Sequence, residues 1–380
     1  MRSKKFVFLV ILLLIVTSQV PFAYRRYKLS RLNAAIQQLN SERKSPPQQN
    51  GFVEYKGVVH VHSFLGGHSS GTFAEIISAA QTNQLQFVVM TEHTEKEFDT
   101  AAMTLSGMHG GVLFVNGNEV SAANGDRLLV LPDKVSIAAY PEEFKNWDTK
   151  EFNGVEVYNV FTNAKQINPV VAFFDVLWSH RRYPELIFAL YLDRPDHSLY
   201  KWDQALARAR LTATAGNDAH ANIGVSLKDS SGKTLLGIQL DPYETSFRLV
   251  RLHVLLEQNK TFDTASLLQA IKAGHCFIGF DFLGDSSGFS FEAENGRERK
   301  IQGDEIALTQ ETRLRVQTPV PGRIVVFKNG VTFTIENSGA SVNEFPIRER
   351  GVYRVEVYLP QLGGMVAGKP WIISNPIYVR

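Results

Sequence analysis

Short apolar segments alternate with helical patterns between Phe52 and Phe282 of the 380-residue chain. One helix is predicted to begin at the capping box that runs from Thr72 to Glu75, and the last to end at Gly274. The predicted strands are Gly57–His62, Phe87–Thr91, Val112–Val115, Arg127–Leu131, Gly154–Tyr158, Leu211–Ala215 and Cys276–Phe280, and the later helices cover about Ala164–Trp178, Tyr200–Arg208 and Thr264–Ala273. This alternation favours parallel strands with crossover helices, in a barrel-like or open α/β architecture.

After about Gly284 the helical patterns stop and short strands separated by turns take over. The predicted strands are Arg313–Gln317, Arg323–Phe327, Val331–Ile335, Val352–Tyr358 and Trp371–Val379. The dipeptide Asn329-Gly330 between two of them is a strong hairpin signal. The sequence therefore predicts an α/β domain at 51–283 and a β-sandwich domain at 284–380.

The first 28 residues predict a signal anchor or a signal peptide. Phe6 to Tyr24 contains no charged residue and would reach roughly 28 Å as a helix, just enough to span a bilayer. Only Phe6 to Val16 is continuously apolar, so a cleaved signal peptide stays open. Residues 29–50 are predicted to be a polar stalk and linker. The protein is expected to be anchored in a membrane with its domains on the extracytoplasmic side, or to be secreted. Basic residues on both sides of the segment leave its orientation open, although the short N-terminal tail favours a cytoplasmic N-terminus.

Charge and cysteine content narrow the chemistry further. The formal net charge is +2, and no clustered basic run follows the first 44 residues, so no nucleic-acid partner is expected. Cys276 is the only cysteine, so the chain has no intrachain disulfide. Any metal ion must therefore be held by nitrogen and oxygen ligands, which directs attention to the ten histidines.

Metal-competent side chains recur at the carboxyl ends of the predicted strands, which meet at one edge in parallel α/β folds. The motifs are His60-Val61-His62, Gly66-Gly67-His68 in the next loop, Thr91-Glu92-His93, Gly117-Asn118-Glu119 and Gly216-Asn217-Asp218-Ala219-His220. Residues two apart in a strand share a face, so one ion can receive both His60 and His62. Any single motif could be structural, but packing does not explain the conjunction. Imidazole and carboxylate ligands together suit zinc, manganese or iron.

The order of these motifs resembles the PHP (polymerase and histidinol phosphatase) superfamily over about Phe52 to Phe282. Within this region, Gly154–Asn159 and the run from Tyr200 to His220 are similar to the branch related to carbamate and amide hydrolases. The tail, with Gly351–Arg354 and Pro370–Pro376, resembles the β-rich tail of that branch. The resemblance implies a distorted (β/α)7 barrel that holds up to three metal ions.

The resemblance also implies a ligand set. One ion would be held by His60, His62, Glu119 and Asp218, and a second by His68, His93 and His220, with Glu119 bridging to a third. Two departures stand out. The family's common pattern has Asp in the loop where this chain has His68, and the usual histidine after the bridging glutamate falls near Asp126-Arg127. His180, or else His197, is the candidate for the remaining ligand, so two ions are as plausible as three.

Other residues are candidates for supporting roles. Glu92 and Asp218 are the candidate catalytic carboxylates, and Glu92, beside His93, is expected to be an orienting group or a proton acceptor rather than a ligand. Glu156 and Asn159 either line the cleft or finish a core strand. The candidates for holding an anionic small-molecule substrate are Arg127, Arg181 and Arg182. His109, His253 and His275 match no motif and are interpreted as structural.

The leading functional hypothesis is hydrolysis of a phosphate ester, because the resemblance implies this reaction and paired metal ions suit it. A metal-dependent ester, amide or carbamate hydrolase is the enzymatic alternative. A non-catalytic extracytoplasmic binding module is a third reading, against which the complete ligand motifs argue.

Overall fold

The computed structural model describes residues 2–43, 51–147, 150–164, 168–222, 224–228, 234–239, 241–337 and 339–380. The helices are α1 (Arg2–Glu42), α2 (Phe73–Thr82), α3 (Thr100–Met103), α4 (Val160–Ala164), α5 (Pro169–Ser179), α6 (Asp196–Leu206), α7 (Tyr243–Leu249) and α8 (Thr264–Ala273). The strands before the last helix are β1 (Phe52–Val61), β2 (Phe87–Met90), β3 (Glu92–His93), β4 (Gly107–His109), β5 (Val112–Val115), β6 (Asn118–Ser121), β7 (Arg127–Leu131), β8 (Val135–Ala139), β9 (Gly154–Asn159), β10 (Thr212–Gly216), β11 (Gly224–Lys228), β12 (Thr234–Gln239) and β13 (Arg251–Glu257). Those after it are β14 (Cys276–Gly279), β15 (Ser290–Glu294), β16 (Arg299–Ile301), β17 (Glu305–Ile306), β18 (Arg313–Gln317), β19 (Arg323–Lys328), β20 (Val331–Glu336), β21 (Val342–Pro346), β22 (Gly351–Tyr358), β23 (Pro370–Ser374) and β24 (Ile377–Val379).

The mixed α/β architecture expected from the sequence is confirmed. β1, β2 and β5 are parallel neighbours, and β3 and β6 continue β2 and β5 into a second sheet with the order β10-β9-β8-β7-β6-β3. A parallel bridge between Val61 and Ala219 joins the end of β1 to the segment after β10. Hydrogen bonds thus connect these strands in a closed ring.

One strand of this ring departs from the expected parallel pattern. β7, predicted as a crossover strand, is antiparallel to both β6 and β8. The β7–β8 connection is a tight turn in which Asp133 and Lys134 adopt left-handed φ angles of 55° and 58°. Such a turn leaves no room for a crossover helix, so these strands form a meander.

The predicted helices are present, but some of them begin or end at other residues than predicted. The capping box at Thr72 is formed in both directions, and α8 ends at Gly274 with a left-handed φ of 80°. The single helix expected over Ala164–Trp178 is instead α4 and α5, with residues 165–167 outside the described part. α6 starts four residues before the predicted Tyr200, at Asp196.

The C-terminal strands extend the first sheet. β23 pairs antiparallel with β14, giving the order β17-β24-β22-β23-β14-β13-β1-β2-β5-β4. A separate antiparallel sheet has the order β16-β15-β18-β21. The predicted hairpin is present, with Asn329 and Gly330 at φ angles of 50° and 80°. Residue 284 therefore marks a change of secondary structure, although the strands before and after it pair in one sheet. The domain limits stay a prediction.

A buried charge network also ties the C-terminal strands to the α/β part. Arg354 on β22 donates from Nε and Nη2 to both carboxylate oxygens of Asp203 on α6, each at 2.8 Å. Its Nη1 donates to Glu356 at 2.6 Å, and Arg194 donates to the same carboxylate. Burial would raise the pKa of Glu356, but the two guanidinium groups outweigh it and hold the pKa at about 2.

The N-terminal helix α1 is continuous through the predicted anchor and the predicted stalk. Within the described residues, this helix is the one long and apolar enough to cross a membrane, judged by length and composition. Its second half is not the free stalk that was expected, because its apolar face is buried in the main core through Leu29, Leu32, Ile36 and Leu39. The helical spacing of these residues is the reason that they reach one face.

Candidate metal centre

His60 and His62 lie at the end of β1, where the strand is irregular. His60 has a left-handed φ of 67°, and the pairing of β1 with β2 shifts register between Val59 and Val61. The two rings are 5.0 Å apart. A bulge at His60, rather than simple alternation along a regular strand, therefore brings both imidazoles to the ring of strand ends. Such a conformation costs about 1–3 kcal/mol and is typical of functional sites.

Four donor atoms from three strand ends form the first cluster. The Nε2 atoms of His60 and His62 lie 3.2 and 3.5 Å from Oε2 of Glu119, and 3.5 and 3.6 Å from Oδ1 of Asp218. Ligand atoms about 2.1 Å from one tetrahedral ion would lie roughly 3.4 Å apart. The separations are thus those of atoms that share a cation.

Buried atoms without partners point the same way. Within the described residues, Nδ1 and Nε2 of His62 and Oδ1 of Asp218 are buried with no hydrogen-bond partner. An unsatisfied buried polar atom costs about 1–3 kcal/mol, and two of these atoms, Nε2 of His62 and Oδ1 of Asp218, lie 3.6 Å apart, as expected for atoms that bind one ion. The donor types are those of a divalent metal site, and the residues present therefore fit the ion that the motifs imply.

A second group of donors adjoins the first. Donor atoms of His62, His93 and His220 all lie within 4.8 Å of one another, and the His62 ring stacks on His93 at 4.5 Å and on His220 at 4.2 Å. His68 is exposed at the rim, 4.8 Å from the His93 ring. His62, which the resemblance gave to the first ion alone, thus belongs to both groups.

Hydrogen bonds fix which ring nitrogens face the cluster. His60 Nδ1 donates to Oε1 of Glu156 at 2.6 Å, and His220 Nδ1 donates to the backbone oxygen of Asp218 at 2.9 Å. Nε2 of each ring is left for the cluster. Tyr140 donates its hydroxyl proton to Oδ2 of Asp218 at 2.9 Å, which turns Oδ1 toward the histidines.

Sequence reasoning missed Tyr140 altogether and left Glu156 undecided. Tyr140 directly follows β8, a strand that was not predicted, so its place at a strand end could not be recognised. Glu156 is fully buried in β9 and bonds to the cluster through His60. Asn159 completes this support by donating to Oε2 of Glu156 at 3.1 Å.

The electrostatics of His62 and Glu119 suit metal ligation. Burial lowers the pKa of His62 well below its ordinary value, and the neighbouring histidines lower it further, so His62 is a neutral donor. Burial alone would raise the pKa of Glu119, but His60, His93 and Arg127 bring it to about 2, so Glu119 is ionised. Burial and the nearby carboxylates raise the pKa of Tyr140 far above its ordinary range, which keeps its hydroxyl proton in place.

The cluster opens into a cleft of about 660 Å³. Arg127 lines it, 42% exposed, with Nη1 3.4 Å from Oε1 of Glu119. The predicted site residues that line the cleft are His68, His93, Glu119, Arg127, Asp218 and His220. His60 and His62 are buried immediately beneath them.

His180 is not brought to the cluster. It caps the end of α5, and among the described residues it belongs neither to the two groups of donor atoms nor to the cleft lining. Helix α5 instead contacts α1, where Trp178 donates to Gln19. Arg181 and Arg182 follow it and are exposed away from the cleft lining. The alternative ligand His197 lies exposed on α6.

Glu92 lies next to the cluster without facing it. One oxygen accepts hydrogen bonds from the hydroxyls of Ser63 at 2.6 Å and Thr104 at 2.7 Å. The other accepts from the backbone nitrogen of Ser63 at 2.9 Å. Both oxygens are thus occupied in holding the turn after His62, which favours the orienting role over the proton-accepting one.

Fold and cluster together define the class: an α/β protein with a candidate site for divalent metal ions at the strand ends. No protein-family model matches the sequence, and no curated protein is similar to it. Among solved structures, the chain is similar to a two-domain protein from Bacteroides vulgatus ATCC 8482 described as containing a predicted PHP-like metal-dependent phosphoesterase. The identity is 13% over 88% of this chain and 98% of that chain, with a TM-score of 0.38.

The chain is also similar to PsfC from Pseudomonas syringae PB-5123, at 13% identity over 57% of this chain and 87% of that chain, with a TM-score of 0.34. The first description names the superfamily that the motifs resemble. Likeness at this level does not define the reaction.

Proposed function

We propose that the chain is a metal-dependent hydrolase of the PHP superfamily and that it cleaves a phosphate ester. The observation that carries the proposal is the convergence on Oε2 of Glu119. His60 and His62 approach this atom at 3.2 and 3.5 Å, and His93 Nδ1 lies 3.6 Å from it. Histidines from two different strands thus meet at one carboxylate oxygen, an arrangement suited to a bridging ligand.

The residues that would hold the first ion are His60, His62, Glu119 and Asp218. A second, adjoining ion would be held by His93 and His220, together with either His62 or His68 at the rim. Two or three zinc, manganese or iron ions suit this set. The chemistry that bound divalent ions supply at such a place is a lowered pKa of water and polarisation of the bond under attack.

The chain's own groups bind and orient the substrate. Arg127, partly exposed in the cleft beside Glu119, offers a guanidinium group to an anionic substrate, and phosphate oxygens match its fork of donors. Tyr140 keeps its proton and can donate only one hydrogen bond at a time, so it holds Asp218 in the resting site. Asp218, at the cleft floor, is the group that we assign to accept a proton from the attacking water, through Oδ1, which has no hydrogen-bond partner within the described residues.

A panel of paired substrates tests the reaction class. The full-length protein in detergent would be assayed against phosphate esters and against carboxyl esters, amides and carbamates, with metal content measured by elemental analysis. We expect bound metal and phosphate-ester cleavage, with both reduced in Asp218→Asn. Cleavage of the carboxyl substrates alone would favour the enzymatic alternative. Bound metal without turnover of any substrate would favour a binding module, and absence of metal would refute the proposal.

We also propose that α1 is an uncleaved membrane anchor, with the rest of the chain on the extracytoplasmic side. The continuity of the helix supports an anchor over a removable signal, because its docked half and its apolar half belong to one helix. The test is the N-terminal sequence and the alkaline-carbonate behaviour of the mature protein. An intact N-terminus in the membrane pellet is expected, whereas a shortened chain in the supernatant would contradict anchorage.

A further inference from the structure

Helix α5 turns its apolar face outward and its polar face toward the protein, the opposite of a helix on a water-facing surface. Its outward face carries Val170, Phe173 and Leu177, which are 64%, 46% and 62% exposed. Its inward face carries Asp175 and Ser179, each 1% exposed. A helix on a soluble surface turns its apolar stripe inward, and an apolar stripe left outside marks an interaction surface.

The polar face of α5 is held by α1. Arg25 donates to both carboxylate oxygens of Asp175, from Nε at 2.8 Å and from Nη2 at 2.7 Å. The Phe22 and Phe174 rings lie 4.9 Å apart. The orientation of α5 is therefore fixed by its partners on α1, and rotation to hide the apolar stripe would break a buried ion pair.

The contacts lie at the level where the apolar part of α1 ends. Trp178 Nε1 donates to Gln19 at 3.0 Å, and Phe22 is the next contact toward the body of the protein. From Phe6 to Phe22 a helix rises roughly 24 Å, close to the hydrocarbon thickness of a bilayer, about 30 Å. With α1 across a membrane, α5 lies at the boundary between hydrocarbon and headgroups.

The charges around α5 suit that boundary. Arg181 and Arg182 follow the helix directly and are exposed. Lys28 and Arg31 are exposed on α1, one to two turns beyond its contacts with α5. An apolar stripe bordered by basic side chains is the pattern of helices that lie in the interface of a membrane.

We infer that the outward face of α5, formed by Val170, Phe173 and Leu177, is inserted into the outer leaflet of the bilayer that α1 crosses. The inference rests on the proposed anchorage. A lipid surface is the occupant because the apolar stripe is continuous with the exposed apolar half of α1 through the Phe22–Phe174 contact. The body of the protein would then be held against the membrane by two elements rather than one.

Site-specific fluorophores test this placement in the full-length chain. Cys276 is fully buried, so a thiol-reactive NBD label would go to cysteines introduced as Phe173→Cys, Leu177→Cys, Leu12→Cys or Phe333→Cys, one at a time. Phe333 on β20 is the matched control, since it is 42% exposed and far along the chain from α1. Each protein would be placed in vesicles of phosphatidylcholine and phosphatidylglycerol, with metal content measured to show that the site is intact.

We expect labels at residues 173 and 177, like that at residue 12, to be quenched several-fold more strongly by doxyl lipids than by aqueous iodide. The label at residue 333 should show the opposite preference. If residues 173 and 177 behaved like residue 333 while residue 12 stayed lipid-quenched, the inference would be overturned and the anchorage would stand. If residue 12 were also open to iodide, both would fall. Shielding of residue 173 from both quenchers, with energy transfer between labelled chains, would assign the face to a second copy and overturn the inference.

Discussion

Replacement of Glu156 by glutamine would test whether this buried carboxylate orients the candidate ligand His60. Glu156 is fully buried and accepts the Nδ1 proton of His60 at 2.6 Å. The substitution keeps the shape of the side chain and removes its charge. The imidazole of His60 would lose a charge-assisted bond while staying in place, so Nε2 would become a weaker ligand.

The expected loss follows from the behaviour of such partners in metal sites. Removal of a carboxylate behind a ligating histidine costs about 10- to 100-fold in metal affinity or activity, which corresponds to about 1.4–2.7 kcal/mol. Because Glu156 has no exposed surface, water cannot replace the lost interaction. We expect the upper part of this range.

A competition titration with a chromophoric chelator measures the affinity, and the chain supplies a matched control. Glu54 accepts the Nδ1 proton of His253 at the same 2.6 Å, but this pair lies away from the metal centre. Glu54→Gln should leave metal affinity unchanged. Equal affinities in wild type and Glu156→Gln, or an equal loss in both variants, would refute the orienting role.

Three further predictions concern packing and buried charge. Gly216→Ala should lower metal affinity at least about tenfold, because an added Cβ would overlap the Glu156 carboxylate; Gly368→Ala, with open space around it, should have no effect in the same titration. Burial lowers the pKa of His253, but nearby carboxylates outweigh it and raise the pKa to about 9 from an ordinary 6.5. The protonated imidazole therefore stabilises the fold fully below pH 6.5, and this stabilisation is lost as pH rises through about 9. The free energy of unfolding should fall by on the order of 3 kcal/mol over this range. Urea titrations should detect the fall in the wild type and not in His253→Gln. Arg354→Met should cost about 3–5 kcal/mol by the same titrations, because it leaves the buried carboxylate of Asp203 without its cation, and an unchanged midpoint would contradict this.

The clustering of the candidate ligands could be predicted from the sequence because each lies at, or a few residues after, the end of an apolar segment. His60, His93, Glu119 and Asp218 meet because parallel strands end at one edge, and this rule needs no knowledge of side-chain orientation. The hairpin at Asn329 was equally local. Such features can be predicted from the sequence because residues that are close in the chain determine them.

What the sequence could not supply depends on contacts between distant segments. Glu156 is identifiable as a partner of His60 only once β9 and β1 are placed in space. The sharing of His62 by two groups follows from a bulge whose left-handed residue is His60, a residue type that carries no special signal for it. The docking of Leu29 and its helical neighbours likewise depends on a core formed elsewhere in the chain.

The pairing of β23 with β14 has a consequence for any shortened form of the protein. Asn375, next to β23, bonds to the backbone nitrogen and oxygen of Ala213 at 2.7 and 3.0 Å, five positions before Asp218. A chain that stopped after Phe282 would keep every proposed ligand, yet β14 would become a bare, apolar sheet edge of the kind that recruits other chains. The residues after Phe282 thus cover the edge of β14 and protect the α/β part from aggregation.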